Sequence, residues 1–467
     1  MNKRDKKEKL CIEGERIYLR RLCENDASAE YASWINNQDV NKYLETKKTT
    51  VEELKDYIKK RSESDNCLFF GIFTKETEKH IGNIKLEPID IKKSIATMGM
   101  LIGDKNYWGK GIATEALNLL VEWSFENLDI SKIDLGVLKD NKAAIRVYEK
   151  SGFATVSENQ DGLKMMITKK IKLSKLCLGT AQLGMKYGIN NSSGKPSFNN
   201  AKKIIETALG NGINTFDTSP HYGDSEKIIG KCLDTKKEGV IIISKLSPID
   251  WAKNDEEILK KIDITLNASL ENLRIEKIPI FLIHRFDDLK KGDGLVMNRL
   301  LKLKAGNIIG KIGVSIYTPA EAEESLENES IEIIQIPFNL IDKRLMVNGF
   351  LRRAKEKGVT ILARSVFLQG LFFKKDIPYE LRDFEKYQER LIEISNSSNI
   401  EIGELALRYV LSVSDIDSVL IGVENQAQLN ENIDIYNKGK LGEDIIRKID
   451  DIGNAPEKII NPSLWIL

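Results

Sequence analysis

NTFDTSPHYG, residues 214–223, runs from a short apolar segment into a loop that carries Asp217 and Tyr222. GVIIISK (239–245) and IPIFLIH (278–284) repeat the pattern, each an apolar β-like run ending on a residue able to handle a proton, Lys245 and His284. LCLGT (176–180), GKIGVSI (310–316), IEIIQIP (331–337), VTILARS (359–365) and SVLIG (418–422) bring the apolar runs to eight. Amphipathic stretches such as 200–211, 255–273 and 344–356 fall between them. Regular alternation of strand and helix argues for a parallel sheet, and eight such units predict a (β/α)8 barrel over residues 174–467. Barrel enzymes keep their chemistry where strands hand over to loops at the carboxyl face. Asp217, Lys245 and His284 all fall there.

Upstream the rhythm is less regular. RIYLRRL (16–22), LFFGIFT (68–74), KHIGNIKLEPI (79–89), IATMGMLIG (95–103), KIDLGVL (132–138) and LKMMITK (163–169) read as strands. Helical periodicity covers 52–62, 112–126 and 142–151. That order predicts a mixed α+β domain at 13–171, preceded by a charged extension at 1–12, so the whole chain belongs to the α/β class. No Gly/Ser- or Pro-rich linker separates the halves, which are expected to abut.

Composition narrows the function classes. A length of 467 residues calls for more than one domain, and 41% hydrophobic residues can fill real cores. Lysine plus arginine total 71 against 70 acidic residues, so no net field favours nucleic acid or an anionic membrane. The five cysteines are scattered without CxxC or His/Cys spacing, which predicts reduced thiols in the cytoplasm and no metal site. The basic start is not followed by an apolar h-region, and no run of eighteen apolar residues occurs, so neither secretion nor a membrane span is expected.

Taken in order, Asp217, Tyr222, Lys245 and His284 resemble the catalytic tetrad of the aldo-keto reductases. The resemblance implies hydride transfer from a nicotinamide cofactor, with Tyr222 delivering the proton to the developing alkoxide. A phenol with a pKa near 10 is a reluctant acid at neutral pH, and a neighbouring ammonium lowers that value. Lys245 would play this part, Asp217 would pair with it, and His284 would orient the carbonyl or relay the proton. By the same resemblance Ser315 and Gln335 hold the nicotinamide carboxamide, with Ile316 standing where the family often has Asn. In ARSVFLQGLF, Arg364 takes the place of an aromatic that stacks on nicotinamide, and Ser365, Gln369, Gly370 and Leu371 follow the pyrophosphate. Gly422, Gln428, Glu431 and Asn432 in IGVENQAQLNEN would surround the adenosine. Relatives that prefer NADPH commonly place a base here; this chain offers Glu424, Gln428 and Glu431, so both NADPH and NADH stay open.

NYWGKGIATEA, residues 106–116, resembles the acyl-CoA pyrophosphate loop of the GNAT acetyltransferases, although that pattern usually opens on Gln or Arg rather than Asn106. A Gly-rich turn opening a helix offers converging backbone N–H groups and the positive end of the dipole. Asn106, Trp108, Gly109, Lys110, Gly111, Ile112 and Ala113 would line the acetyl-CoA phosphates. DNKAAIRVYEKSGF (140–153) resembles the other half of the site, with Asn141 on the pantetheine arm and Tyr148 as acid for the departing thiolate. The amine acceptor must also lose a proton. Many relatives carry Glu where this chain has Thr97, so Glu87 on the preceding strand is the substitute, directly or through water. His80 reads as an ordinary surface residue.

Together these readings describe a bifunctional enzyme acting on small molecules. A nucleotide-linked amino sugar, as in nonulosonate or surface-glycan precursor synthesis, would serve both halves. The alternatives are a protein N-terminal acetyltransferase fused to an independent reductase, and a barrel that binds nicotinamide as a regulatory module. GNAT sheets often pair as dimers, which leaves a homodimer open while the sequence does not fix the assembly.

Overall fold

The computed structural model describes residues 10–128, 130–169, 171–233 and 239–465. The chain divides into two compact units between residues 170 and 171.

The first unit is an eight-stranded mixed sheet. Its strands are β1 (Cys11–Glu13), β2 (Ile17–Arg21), β3 (Leu68–Thr74), β4 (His80–Asp90), β5 (Ile95–Ile102), β6 (Lys132–Leu138), β7 (Ala154–Glu158) and β8 (Gly162–Thr168), ordered β1-β2-β3-β4-β5-β6-β8-β7. Of the expected extension at 1–12, residues 1–9 lie outside the described residues, while Cys11 and Ile12 pair with Arg20 and Leu19 as an edge strand. Four helices matter for the site: α1 (Ala29–Asn36), α2 (Val51–Ser62), α3 (Ile112–Asn127) and α4 (Lys142–Lys150). Helix α2 starts where it does because Thr50 and Glu53 form a reciprocal cap, at 3.2 Å for Glu53 N–H on Thr50 Oγ1 and 2.8 Å for Thr50 N–H on the carboxylate.

One pair in this sheet is parallel. β5 and β6 are in register only at Ile95↔Lys132, Ala96↔Ile133 and Thr97↔Asp134. Beyond that point β5 stays with β4 and β6 stays with β8, so the two strands part and open a notch whose apex is Thr97 and Asp134. Side chains alternate across the sheet. Ala96, Met98, Ile133, Leu135 and Val137 go to the core under α3 and α4, and Thr97 and Asp134 go to the opposite face.

The second unit is a closed barrel of eight parallel strands: β9 (Leu176–Gly179), β10 (Thr215–Asp217), β11 (Ile241–Lys245), β12 (Ile278–Ile283), β13 (Ile309–Ser315), β14 (Ile333–Pro337), β15 (Thr360–Arg364) and β16 (Ser418–Gly422). Ile171 and Leu173 already pack against its interior cluster. Period-two alternation divides the strands between two cores. Cys177, Ile241, Ile243, Ile280, Leu282, Ile333 and Leu362 fill the inside, and Phe216, Ile242, Phe281, Ile312 and Ile334 face the helices. Carried one step further along each strand, the inward row arrives at Asp217, Lys245, His284, Ser315, Gln335 and Arg364. The alternation that builds the core therefore also gathers the reactive side chains on one layer at the carboxyl end.

Candidate functional site

Lys245 is the centre of the barrel layer. Its ammonium donates to Asp217 Oδ1 at 2.6 Å and to the Thr218 carbonyl at 2.9 Å, and it lies 4.8 Å from the Tyr222 ring centroid. The side chain is 1% exposed. Burial works against its charge, but the Asp217 carboxylate and then Tyr222 more than offset that, and the pKa stands above the ordinary lysine value. Asp217 is held from its other oxygen by the Gln335 amide, at 2.9 Å. Gln335, assigned by resemblance to the nicotinamide, thus spends its N–H on the ion pair and keeps its amide oxygen.

Tyr222 sits half-buried on the loop after β10. Burial pushes its pKa up, Lys245 pulls it back and Asp217 adds to the rise, so the net direction is upward. The ammonium is present as expected, but the desolvation of the phenol outweighs it. The loop is fixed by Thr180, whose N–H and hydroxyl both donate to the Asp217 carbonyl at 3.0 and 2.7 Å. Gly184 leaves room for it: a Cβ there would stand 1.8 Å from the Tyr222 carbonyl oxygen.

His284 packs edge-on to Tyr222, ring centroids 6.1 Å apart at 85°. Burial first, then the positive charges of Lys245, Arg364, His221 and Arg285, push its pKa down to about 3. The imidazole is therefore neutral around pH 7. Its Nδ1 is buried without a partner, an orphaned polar atom beside Tyr222.

The remaining cofactor assignments divide. Ser315 and Gln335 are register partners on neighbouring strands. Arg364 donates to the Ile316 carbonyl at 2.9 Å and to Ser365 Oγ at 3.1 Å, and its guanidinium covers the Tyr317 ring at 4.2 Å. One guanidinium face is thus taken. Gln369 and Gly370 adopt left-handed backbone, and the Gln369 amide donates to Tyr187 Oη at 3.1 Å. That contact and Ile189 N–H on the Gln369 carbonyl, 3.1 Å, strap the loop after β15 to the loop after β9. The Leu371 side chain is buried in the core, so only its backbone is free to serve a phosphate. Around the expected adenosine position, a Cβ on Gly422 would meet the Gln182 amide at 2.5 Å, Gln428 accepts Glu424 N–H at 2.8 Å, Glu431 is exposed and Asn432 is buried.

In the first unit a cleft of about 1650 Å³ runs along the notch. Trp108, Gly109, Gly111, Ile112 and Ala113 line it, and Asn141 and Tyr148 face it as well. Asn106 and Lys110 do not: Asn106 N–H is tied to Asp104 Oδ1 at 2.9 Å, and the Lys110 carbonyl accepts from Arg16 at 2.8 Å. Gly109 and Gly111 take φ of 71° and 78°, a left-handed backbone that points successive N–H groups one way and that side chains resist. Arg16 also pairs with Glu115 at 2.8 Å, removing a carboxylate charge from the first turn of α3 where an anion would bind. Asn141 caps α4 with its oxygen on Ala144 N–H, 3.2 Å, and keeps its amide N–H free. Burial pushes Tyr148 up to about 12, so it stays protonated through neutral pH.

Glu87 is corrected. Its Oε2 accepts from Lys85 at 2.7 Å and Arg61 at 2.9 Å, and it is absent from the cleft lining. Burial works against its charge, but these two cations hold the carboxyl below its usual range, the opposite of what a base requires. His80 is no surface residue either: it stacks on Phe73 at 4.8 Å and its Nε2 contacts the Gly82 carbonyl and Asn83 Oδ1. Among the described residues no group of three or more metal-ligating side chains occurs, and no helix is long and apolar enough to cross a membrane.

Comparison with known proteins places both units. A model described as the Aldo/keto reductase family matches residues 175–454, and one described as an acetyltransferase (GNAT) domain matches residues 16–154. The "Probable N-acetyltransferase YjcK" of Bacillus subtilis is 34% identical over 151 residues, 30% of this chain and 82% of its own length. The "Uncharacterized oxidoreductase YqkF" of the same organism is 23% identical over 293 residues, 58% of this chain and 94% of its own length. The "NADH-specific methylglyoxal reductase" of Escherichia coli is 26% identical over 312 residues, 58% of this chain and 92% of its own length. In fold, the barrel is like the solved aldo-keto reductase AKR11C1 of Bacillus halodurans, with a TM-score of 0.50, 21% identity, and coverage of 63% of this chain and 96% of that one.

Two outcomes follow from this geometry. Gly184→Ala drives a Cβ into the Tyr222 carbonyl, and carbonyl reduction should fall about 10²-fold while CoA binding to the other unit stays as it is; a kinetic and calorimetric pair checks this. In the unfolded chain His284 takes a proton below pH about 6.5, but folded it resists until about 3. The unfolded state therefore binds more protons in that window, and barrel stability should fall as pH drops through it. Thermal melts from pH 7 to 5 should show a shallower decline for His284→Gln than for the wild type.

Proposed function

Residues 175–454 make this chain a member of the aldo/keto reductase family, and from that premise we propose that its barrel reduces or oxidises a carbonyl/alcohol pair on the same class of small molecule, a nucleotide-linked amino sugar, that its GNAT domain N-acetylates with acetyl-CoA. The chain is an enzyme with acetyltransferase and aldo-keto reductase domains. The observation that carries the joint reading is that the proton-handling groups of the barrel and an open acyl-CoA notch are both intact on one polypeptide. An amino sugar brings an amine, hydroxyls and a masked carbonyl, so one substrate would serve both.

In the barrel, Tyr222 is the group that exchanges a proton with substrate oxygen, Lys245 with Asp217 tunes it, and neutral His284 orients the oxygen by hydrogen bonding. A nicotinamide cofactor supplies or accepts the hydride; Ser315, Gln335, Arg364, Ser365, Gln369 and Gly370 would hold it. The lone pairs of the Gln335 amide oxygen remain for the carboxamide, which fits this part. In the GNAT domain, N–H groups around Gly109 and Gly111 would hold the acetyl-CoA diphosphate, Asn141 the pantetheine arm, and Tyr148 would give its proton to sulfur. Bound acetyl-CoA supplies the acyl group.

For the cofactor we favour NADH. Glu424 is half-buried beside the expected adenosine position, and a carboxylate there suits accepting from a ribose hydroxyl and repels a phosphate. The expected result is NADH binding at least about tenfold tighter than NADPH, a difference of roughly 1.4 kcal/mol. Glu424→Lys should narrow or reverse it in a fluorescence titration, and equal affinities in the wild type would contradict the assignment.

Acetyl-CoA consumption against UDP-linked 4-amino sugars and short peptides tests the acceptor. Turnover on the sugars that drops about 10²-fold in Tyr148→Phe is expected. Activity on peptides with silence on sugars would instead favour a protein N-terminal acetyltransferase beside an independent reductase.

A further inference from the structure

The acceptor nitrogen reaches a GNAT site as an ammonium and cannot attack a thioester until it gives up a proton. With Glu87 bound to two cations away from the cleft, that proton needs another destination. The apex of the notch offers one. Thr97 on β5 and Asp134 on β6 are register partners, so both side chains leave the same face of the sheet, and both line the cleft. Thr97 Oγ1 donates to Asp134 Oδ1 at 2.7 Å. The Asp134 side chain is 7% exposed, and its other oxygen meets Lys164 Nζ at 2.8 Å. Lys164 itself is half-exposed and so leads from the carboxylate to water. Because the Thr97 hydroxyl hydrogen is committed to Asp134, its oxygen lone pairs remain to accept from an incoming nitrogen.

Resting on the acetyl-transfer reading of this cleft, we propose that Asp134, acting through the Thr97 hydroxyl, is the proton acceptor for the amine. The carboxylate that many relatives carry on the β5 position itself has moved one strand over, and threonine bridges the gap. The ammonium proton passes to Thr97 Oγ1 as the threonine's own proton passes to Asp134 Oδ1. The neutral nitrogen then bonds to the thioester carbonyl carbon and the C–S bond breaks. Sulfur takes the Tyr148 proton, and the phenolate recovers one from the nitrogen, which still holds an excess. The products are the acetamide, the CoA thiol and one proton on Asp134, which returns to water along Lys164. Lys164 orients the carboxylate through its 2.8 Å contact and is a positioning residue, whereas Thr97 touches substrate.

The test compares two kinds of nucleophile in a thiol-release assay at pH 7 with the full chain. Glucosamine, a UDP-linked 4-amino sugar and a short peptide present ammonium groups; hydroxylamine is already unprotonated. Asp134→Asn and Thr97→Val should each lose about 10²-fold in kcat/KM with ammonium acceptors, and the loss with hydroxylamine should be roughly tenfold smaller. Thr97→Ser, which restores the hydroxyl, should recover most of the activity, and Glu87→Gln should lose less than Asp134→Asn. Equal losses with both kinds of nucleophile would mark Asp134 as merely structural and overturn the proposal. So would an unimpaired Asp134→Asn, or a large selective loss in Glu87→Gln. No thiol release by the wild type with any nucleophile would instead refute the acetyl-transfer reading on which the proposal stands.

Discussion

The buried pair of Lys245 and Asp217 constrains everything around it in the barrel. An ammonium in that interior is tolerable only with its donors satisfied, and the structure gives it a carboxylate at 2.6 Å and a carbonyl at 2.9 Å. Removing one partner of such a pair typically costs about 3–5 kcal/mol, because the other charge is left buried. The pair also fixes register. A one-residue slip of β11 would send Lys245 among the apolar helices and Ser244 inward, so the strand has a single acceptable setting. From that setting follow the place of Tyr222 beside the ammonium, the hold of Gln335 on Asp217, and the buried, positive surroundings that keep His284 neutral.

The GNAT domain rests on a different constraint, the single parallel contact in its sheet. β5 and β6 share three register pairs and then part, because each continues with its other neighbour. Backbone released by that parting opens a cleft, and the helix that connects the two strands brings its N-terminus to one side of it. Arg16 pins the loop before the helix and offsets the Glu115 charge. The notch thus joins the glycine turn, where Gly109 and Gly111 lie, to the apex, where Thr97 and Asp134 lie.

Much of this was legible in the chain. Six of the eight apolar runs of the barrel carry Asp217, Lys245, His284, Ser315, Gln335 and Arg364 at or near their ends because inward positions alternate, and alternation can be counted in a sequence. Helix α3 and the glycine turn before it were equally plain. What stayed hidden depends on partners far away along the chain. Glu87 reads as a free carboxylate until Arg61, 26 residues earlier on α2, closes on it. Asp134 reads as an ordinary strand residue until register sets it against Thr97, 37 residues away. Burial raises Tyr222 despite its lysine because desolvation depends on the assembled loop. Gly184, Tyr187 and Arg16 act by close approach or by bonds to other loops and carry no motif of their own.

The central claim is that the barrel is a working redox site and not a nicotinamide-binding module. Stopped-flow mixing of the enzyme–NADH complex with methylglyoxal as a reactive carbonyl tests it directly, following loss of the reduced nicotinamide absorbance in a single turnover. The account predicts oxidation of the bound cofactor in the wild type and its loss, by about 10²-fold or more, in Tyr222→Phe. Cofactor that binds but stays reduced in the presence of methylglyoxal and other reactive aldehydes would contradict it.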